Sequence, residues 1–238
     1  MVFDDMCVAG IDLGSYSSPS YVAWLGDNRL VVDMYRPRPD HWLPVPPKDW
    51  PLPTVMAIDG PQGLAAPGAD PAIRKADAET HTPTRRLPRS RKELTSWKLY
   101  KPLIILAIDL FWHCYQNPSY SIYGLGNNGC LVCETWPRLI LKRLGGQQTI
   151  PSKRQDPFAY SDTVVRLLDR VGVAVPGLLH PTPDQCDAIL CALLAERLGM
   201  KANVDLVETF GSPPLIDETD GVLHEGWIVA PKQQKEIL

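Results

Sequence analysis

The sequence predicts a mixed α/β domain in which a block of strands is followed by helices and a late strand. Three observations carry that prediction. Three β-branched runs with short connections fill the first 35 residues. Helical periodicity follows mainly beyond residue 90. Of the 238 residues 45% are hydrophobic and 21% charged, which is the balance of a folded chain with its own core.

The elements follow in order. Met6–Leu13 and Tyr21–Gly26 flank the hydroxyl-rich turn Gly14-Ser15-Tyr16-Ser17-Ser18-Pro19-Ser20. With Arg29–Tyr35 they make an antiparallel meander. Seven prolines between Arg36 and Pro53 exclude helix and central strand there. Val55–Asp59, bounded by Pro53-Thr54 and Gly60-Pro61, reads as a buried fourth strand. A short helix is expected near Pro71–Glu79, and Arg91–His113 reads as helix with a break or kink at Pro102. Cys130–Glu134 is a fifth strand, and Pro137–Leu144 a short helix stopped by Gly145-Gly146. Asp162–Val171 has the helical stripe Val164, Leu167, Leu168 and Val171. The helix after Thr182 is the best specified: Thr182-Pro183-Asp184-Gln185 is a capping box with proline at N1, and Gly199 ends the helix.

Several classes are excluded. The longest oily stretch, Leu103 to Cys114, contains Asp109 and His113 and falls short of the ~20 residues a bilayer needs, so no membrane association is expected. Two acids in Met1-Val2-Phe3-Asp4-Asp5 stand where a signal peptide carries positive charge, which predicts a cytoplasmic protein with reduced thiols. Cys130 and Cys133 have zinc-like spacing, but on a strand they point to opposite faces. The five histidines form no His-x-x-x-His pair, and neither a Gly-x-Ser-x-Gly elbow nor a P-loop is present. Trp112, Trp136 and Trp227 are assigned to the core.

Net charge is −3, unevenly placed. Ile73 to Lys101 holds nine Lys or Arg (Arg74, Lys75, Arg85, Arg86, Arg89, Arg91, Lys92, Lys98, Lys101) against three acids. That strip is +6, which leaves −9 on the rest. It could follow a phosphate backbone, or be a solvated loop.

Three apolar strands end in acids: Val8-Ala9-Gly10-Ile11 at Asp12, Val55-Met56-Ala57-Ile58 at Asp59, and Cys130-Leu131-Val132-Cys133 at Glu134. Asp187 lies on the apolar stripe of the capped helix, with Leu190, Cys191, Leu194 and Leu198, and Asp184 is one turn earlier. If the strands are neighbours, these carboxylates crowd at one edge and cannot all stay ionised unaided. Mg²⁺ or Mn²⁺ would resolve that crowding, and paired ions suit in-line attack on a phosphodiester. Asp33 and Asp109 also end apolar runs, and strand-end acids commonly just cap loops.

Ala9-Gly10-Ile11-Asp12-Leu13-Gly14 and Ala57-Ile58-Asp59-Gly60-Pro61-Gln62-Gly63-Leu64 resemble the first two blocks of a predicted-nuclease family, numbered 429 among domains of unknown function. Arg74-Lys75-Ala76-Asp77 resembles its Arg-x-x-Asp block, and Glu134-Thr135-Trp136-Pro137 its Glu-x-x-Pro block. Asp184-Gln185-Cys186-Asp187-Ala188 resembles its terminal helix, and Glu225-Gly226-Trp227-Ile228 its closing strand. The resemblance implies an α/β, RNase H-like domain over residues 1–238. Its mixed five-stranded central sheet, with the first three strands antiparallel, is flanked by helices. A Pro-rich insert near 36–53 and a basic loop and helix insert near 73–117 interrupt it.

The leading expectation is metal-dependent phosphodiester hydrolysis of nucleic acid, DNA or RNA. Asp12, Asp59, Glu134 and Asp187 would be catalytic and, with Asp184, hold Mg²⁺ or Mn²⁺. Arg74, Lys153 and Arg154 would contact phosphates, and Asp77 would orient Arg74. Two alternatives stay open. One is a non-catalytic RNase H-fold binding module. The other is a phosphotransferase of the actin-like superfamily, whose first phosphate loop Ile11-Asp12-Leu13-Gly14-Ser15 resembles.

Overall fold

Residues 6–27, 29–83, 86–126, 128–146, 149–174, 180–200 and 206–233 are described by the computed structural model. Among them the chain forms strands β1 (Cys7–Asp12), β2 (Ser20–Gly26), β3 (Arg29–Tyr35) and β4 (Val55–Asp59), then helices α1 (Lys75–Thr80), α2 (Arg91–Ser96) and α3 (Lys101–Gln116). After these come β5 (Tyr120–Ile122), β6 (Cys130–Thr135), α4 (Pro137–Gly145), α5 (Pro157–Val171), α6 (Pro183–Gly199), β7 (Val207–Asp217) and β8 (Val222–Pro231). No helix among the described residues is long and apolar enough to cross a membrane. Residues 1–5, read above for export, lie outside the described residues.

One mixed sheet holds all eight strands in the order β3-β2-β1-β4-β6-β8-β7, with β5 alongside β6. The meander β1-β2-β3 is antiparallel, as the sequence predicts. Strand β4 runs parallel to β1, and β6 parallel to β4. The sheet has eight strands where the sequence reading expects five. Strand β5 is only three residues long, beside a Gly- and Asn-rich loop, so it has no period to detect. Strand β7 carries Gly211, Pro213 and Pro214, which argue against a strand in any sequence reading; the chain accommodates them with a register shift between Ser212 and Leu215.

Side-chain alternation sorts the strands onto two cores. Val8 of β1, with Val55 and Ala57 of β4, faces a layer made by α4, α5 and α6. Cys7, Ala9 and Ile11, with Met56 and Ile58, face α3 and the Pro-rich segment, which contributes Leu43 and lays Trp42 and Trp50 on the same face. Cys133 lies in the first core and Cys130 against the second, so the pair points to opposite faces. The predicted helix over Arg91–His113 is two helices. Helix α2 ends at Ser96, and α3 restarts at Lys101, where Pro102 fits the first turn and needs no N–H partner.

Helix α6 carries the capping box read from sequence: Thr182 Oγ1 accepts from Gln185 N, and Gln185 Oε1 accepts from Thr182 N. Every residue from Cys186 to Ala195 is buried, because α6 lies between the sheet and the helices α4 and α5. Its approach to the sheet depends on Gly10. A Cβ there would sit 2.0 Å from Ala192 N and 2.2 Å from Ala188 O, both helix backbone. Gly10→Ala must therefore push α6 off β1 and, with it, Asp187 away from Asp12. The expected loss is about 1–3 kcal/mol or more, read as a lower urea midpoint. A wild-type midpoint would show that strand and helix have room to part.

Candidate metal centre

The residue alternation that builds the cores also aims the acids. In β1, Val8, Gly10 and Asp12 point to the α6 side; in β4, Val55, Ala57 and Asp59 do the same. Asp12 and Asp59 are direct partners in the parallel register, so their carboxylates stand side by side at the carboxyl ends of two adjacent strands. Strands leave β1 and β4 toward opposite ends of the sheet, and this switch point is where open α/β sheets place ligands. The first turns of α6 cross above, and Asp187 completes the group: one carboxylate oxygen from each of Asp12, Asp59 and Asp187 lies within 4.8 Å of the other two. The three could hold a metal ion.

Their surroundings explain why they need one. Asp187 is buried; Tyr160 Oη donates to its Oδ1, and Lys153 Nζ pairs with its Oδ2. The carboxylates of Asp12 and Asp59 have no hydrogen bond or ion pair among the described residues. Burial, then the Asp187 charge, holds both well above the usual carboxylate range, although Lys153 pulls them down. Burial also raises Asp187, against the lowering influence of Lys153 and Tyr160. Lys153 is desolvated too, yet Asp187 and Asp12 outweigh that and raise its pKa. Two half-buried carboxylates without partners beside a third make a cation hole that one ammonium fills only in part.

The other expected site residues are placed differently. Glu134 is out of phase with the triad: Asp59 pairs with Thr135, while Glu134 pairs with Ile58 and shares its face. There Arg74 grips it with two bonds of 2.6 Å, Nη1 to Oε2 and Nη2 to Oε1, and Gln62 N donates to Oε2 at 2.7 Å. It therefore stands apart from the triad, held by protein donors. Asp184 is one turn out from Asp187, half-exposed, and pairs with Lys153 Nζ at 2.8 Å. Arg74 corrects the expectation of a phosphate contact. It is 1% exposed and its donors go to Glu134 and Asp77, with Nε 2.7 Å from Asp77 Oδ2. Asp77 does orient Arg74, as expected, and itself accepts from Thr82 Oγ1 at 2.6 Å. Lys153 reaches the site as a partner of the acids, and Arg154 beside it is exposed and makes no ion pair among the described residues.

Half of the described basic residues of the strip are paired inside the chain. Besides Arg74, Arg91 binds Asp109 at 2.6 Å and the carbonyls of Asp220 and Gly221. Lys75 and Arg89 lie 3.8 and 4.0 Å from Glu79 and Glu93. Arg85 lies outside the described residues.

Sequence reasoning missed Tyr160, although a signal existed. It continues the α5 stripe four residues before Val164, and a tyrosine on a buried stripe needs a partner for its hydroxyl. Gln62, fully buried, was also missed, since its role depends on a backbone N–H.

Beside the triad opens a cleft of about 360 Å³, whose lining includes Asp59, Glu134 and Lys153 together with Pro83, Tyr100, Leu103 and Trp136. Trp136 is thus partly buried at this wall rather than wholly core. Fold and site together define a mixed α/β protein with a carboxylate triad at the switch point of its sheet. No protein-family model, no curated protein and no solved structure matches the chain.

Proposed function

We propose that the chain is a metal-dependent phosphodiester hydrolase acting on nucleic acid, with Mg²⁺ or Mn²⁺ held by Asp12, Asp59 and Asp187. The observation that carries this reading is the convergence of three carboxylates from β1, β4 and α6, two of them without a protein partner. An all-oxygen donor set favours hard divalent ions. The run β3-β2-β1-β4-β6, antiparallel at first and parallel after, supports an RNase H-like core, as the resemblance implies. Six unpaired cysteines agree with a reducing cytoplasm.

When bound, such an ion would lower the pKa of water and offset charge on the phosphate. The chain's residues do the rest. Asp12 and Asp59, fixed by the strand register, set the donor geometry. Tyr160 fixes the carboxylate plane of Asp187 through Oδ1. Lys153, at the rim of the cleft, offers its ammonium to a phosphate oxygen. In the net reaction a water oxygen bonds to phosphorus and the bond from phosphorus to one sugar oxygen breaks. One water proton leaves the nucleophile, and the departing oxygen takes up a proton.

A specific observation favours a second reading, the non-catalytic binding module: Lys153 already pairs with Asp184 and Asp187 and so neutralises part of the cluster. The phosphotransferase reading loses support at the turn after β1. The N–H groups of Ser17 and Ser18 go to Ser15 Oγ and that of Gly14 to Ser20 Oγ, and a Cβ on Gly14 would sit 2.1 Å from Pro19 O. Most backbone N–H groups of the turn are thus spent within it, which leaves no cradle of converging N–H groups for a phosphate.

Cleavage of labelled single- and double-stranded DNA and RNA with Mn²⁺ or Mg²⁺ tests the proposal. Asp12→Asn should fold, yet lose more than about 100-fold in both Mn²⁺ affinity and cleavage. Saturable binding with no turnover under either ion would transfer the conclusion to the binding module.

A further inference from the structure

We infer that the cleft beside the triad receives one unstacked nucleotide, base against Tyr100 and phosphate toward Asp59 and Lys153, so that the substrate is a single strand or a frayed strand end. This rests on the hydrolase reading and names the substrate form that the same site takes.

The lining of the cleft offers both kinds of group that a nucleotide needs: Asp59 and Lys153 on the phosphate side of the chemistry, and the apolar and aromatic side chains of Pro83, Tyr100, Leu103 and Trp136 for a base, while the acids Asp77 and Glu134 that also line it are taken up by Arg74. At about 360 Å³ it sits near the small end of ligand-sized pockets, room for one nucleotide but not for a base pair within a duplex. A base at this depth must leave its stack, and that costs least in a strand already single.

Tyr100 breaks two local rules in order to stand there. It is the N-cap of α3, a position that favours Ser, Thr, Asp, Asn or Gly, and its side chain caps nothing. Its φ is 53°, in the left-handed region that a bulky residue rarely occupies. Its ring is nearly half exposed, at 47%, and contributes to no core cluster among the described residues. Backbone strain without a packing return is found where a side chain is being presented. An aromatic face accepts any base, so the cleft selects strandedness rather than sequence.

Fluorescence anisotropy with a short labelled single strand, the same strand made abasic, and its blunt duplex tests this, with Ca²⁺ replacing Mn²⁺ to hold back turnover. The intact single strand should bind roughly ten-fold or more tighter than either of the others. Tyr100→Gly should lose that preference without a lower Tm, since glycine accepts the positive φ, while Tyr100→Phe keeps it. Equal affinity for abasic strand or duplex, or wild-type preference in Tyr100→Gly, overturns the cleft assignment; cleavage by the wild-type protein would then still uphold the hydrolase reading. Absence of both binding and cleavage for every nucleic acid removes the two together.

Discussion

Asp59→Asn should make the metal-free protein more stable at pH 7 while removing its stabilisation by Mn²⁺. The carboxylate of Asp59 is held well above the usual range by burial, and next by the charge of Asp187. An acid whose folded pKa exceeds its unfolded value contributes stability that is fully present below the unfolded pKa and lost as pH rises through the folded pKa. By pH 7 the unfolded chain has ionised this group while the buried site still resists the charge, so the carboxyl is a net cost of the fold. Asparagine keeps the shape and removes the charge. The expected gain is about 0.5–2 kcal/mol, or a few degrees of Tm in a chain of this size. The wild-type fall in stability between the ordinary carboxylate range and neutrality should also become shallower. Asp59 is the better choice over Asp187, because Asp187 binds Lys153 and Tyr160, and its loss would leave the Tyr160 hydroxyl without its acceptor and Lys153 with Asp184 alone. Mn²⁺ should reverse the order, raising the wild-type Tm by mass action and leaving the variant unmoved. Scanning calorimetry over pH, with and without Mn²⁺, reads every part of this. A variant less stable than wild type at pH 7 would mean that Asp59 has a favourable partner, and the cation hole would not exist.

Much of this site is legible in the chain because its signals are local. An apolar run that stops at an acid marks Asp12 and Asp59 as strand ends, although the same pattern falls at Asp33 inside β3 and at Asp109 inside α3. A capping box with proline at N1 fixes where α6 begins, and hence that Asp184 and Asp187 lie in its first turns. What the chain does not display is register. Glu134 ends its strand as the aspartates end theirs, but the β4–β6 pairing sets Thr135, not Glu134, beside Asp59. A shift of one residue reverses the face, and only the assembled sheet decides it. Ion-pair partners are equally invisible: the basic strip reads as free charge until Glu134, Asp77 and Asp109 arrive from elsewhere to take Arg74 and Arg91. Gly10 did carry a local hint, since a glycine inside a strand marks close backbone approach, here by α6.

Arg74→Ala should be the most destabilising single change at this end of the sheet. The guanidinium is 1% exposed and lies between two carboxylates that are nearly as buried, Asp77 at 1% and Glu134 at 4%. Burial works against its charge, but Asp77 and Glu134 outweigh that and raise its pKa. Removing it leaves both acids in a poorly solvated space with Gln62 N and Thr82 Oγ1 as the remaining donors among the described residues. Burial already pushes Glu134 up, and Arg74 is the chief influence holding it down, so the carboxylate would take up a proton at higher pH. Breaking a buried pair in this way costs about 3–5 kcal/mol, on the order of 10 °C in Tm. Salt should hardly change the loss, since mobile ions do not screen a buried network. Arg74→Met with Glu134→Gln should lose less than the two single changes combined, because each then removes a charge the other no longer needs. A phosphate-contacting arginine would behave in the opposite way: Arg74→Ala would retain the wild-type Tm and lose only affinity for nucleic acid. That outcome would return Arg74 to the substrate and leave Glu134 free to turn toward the triad.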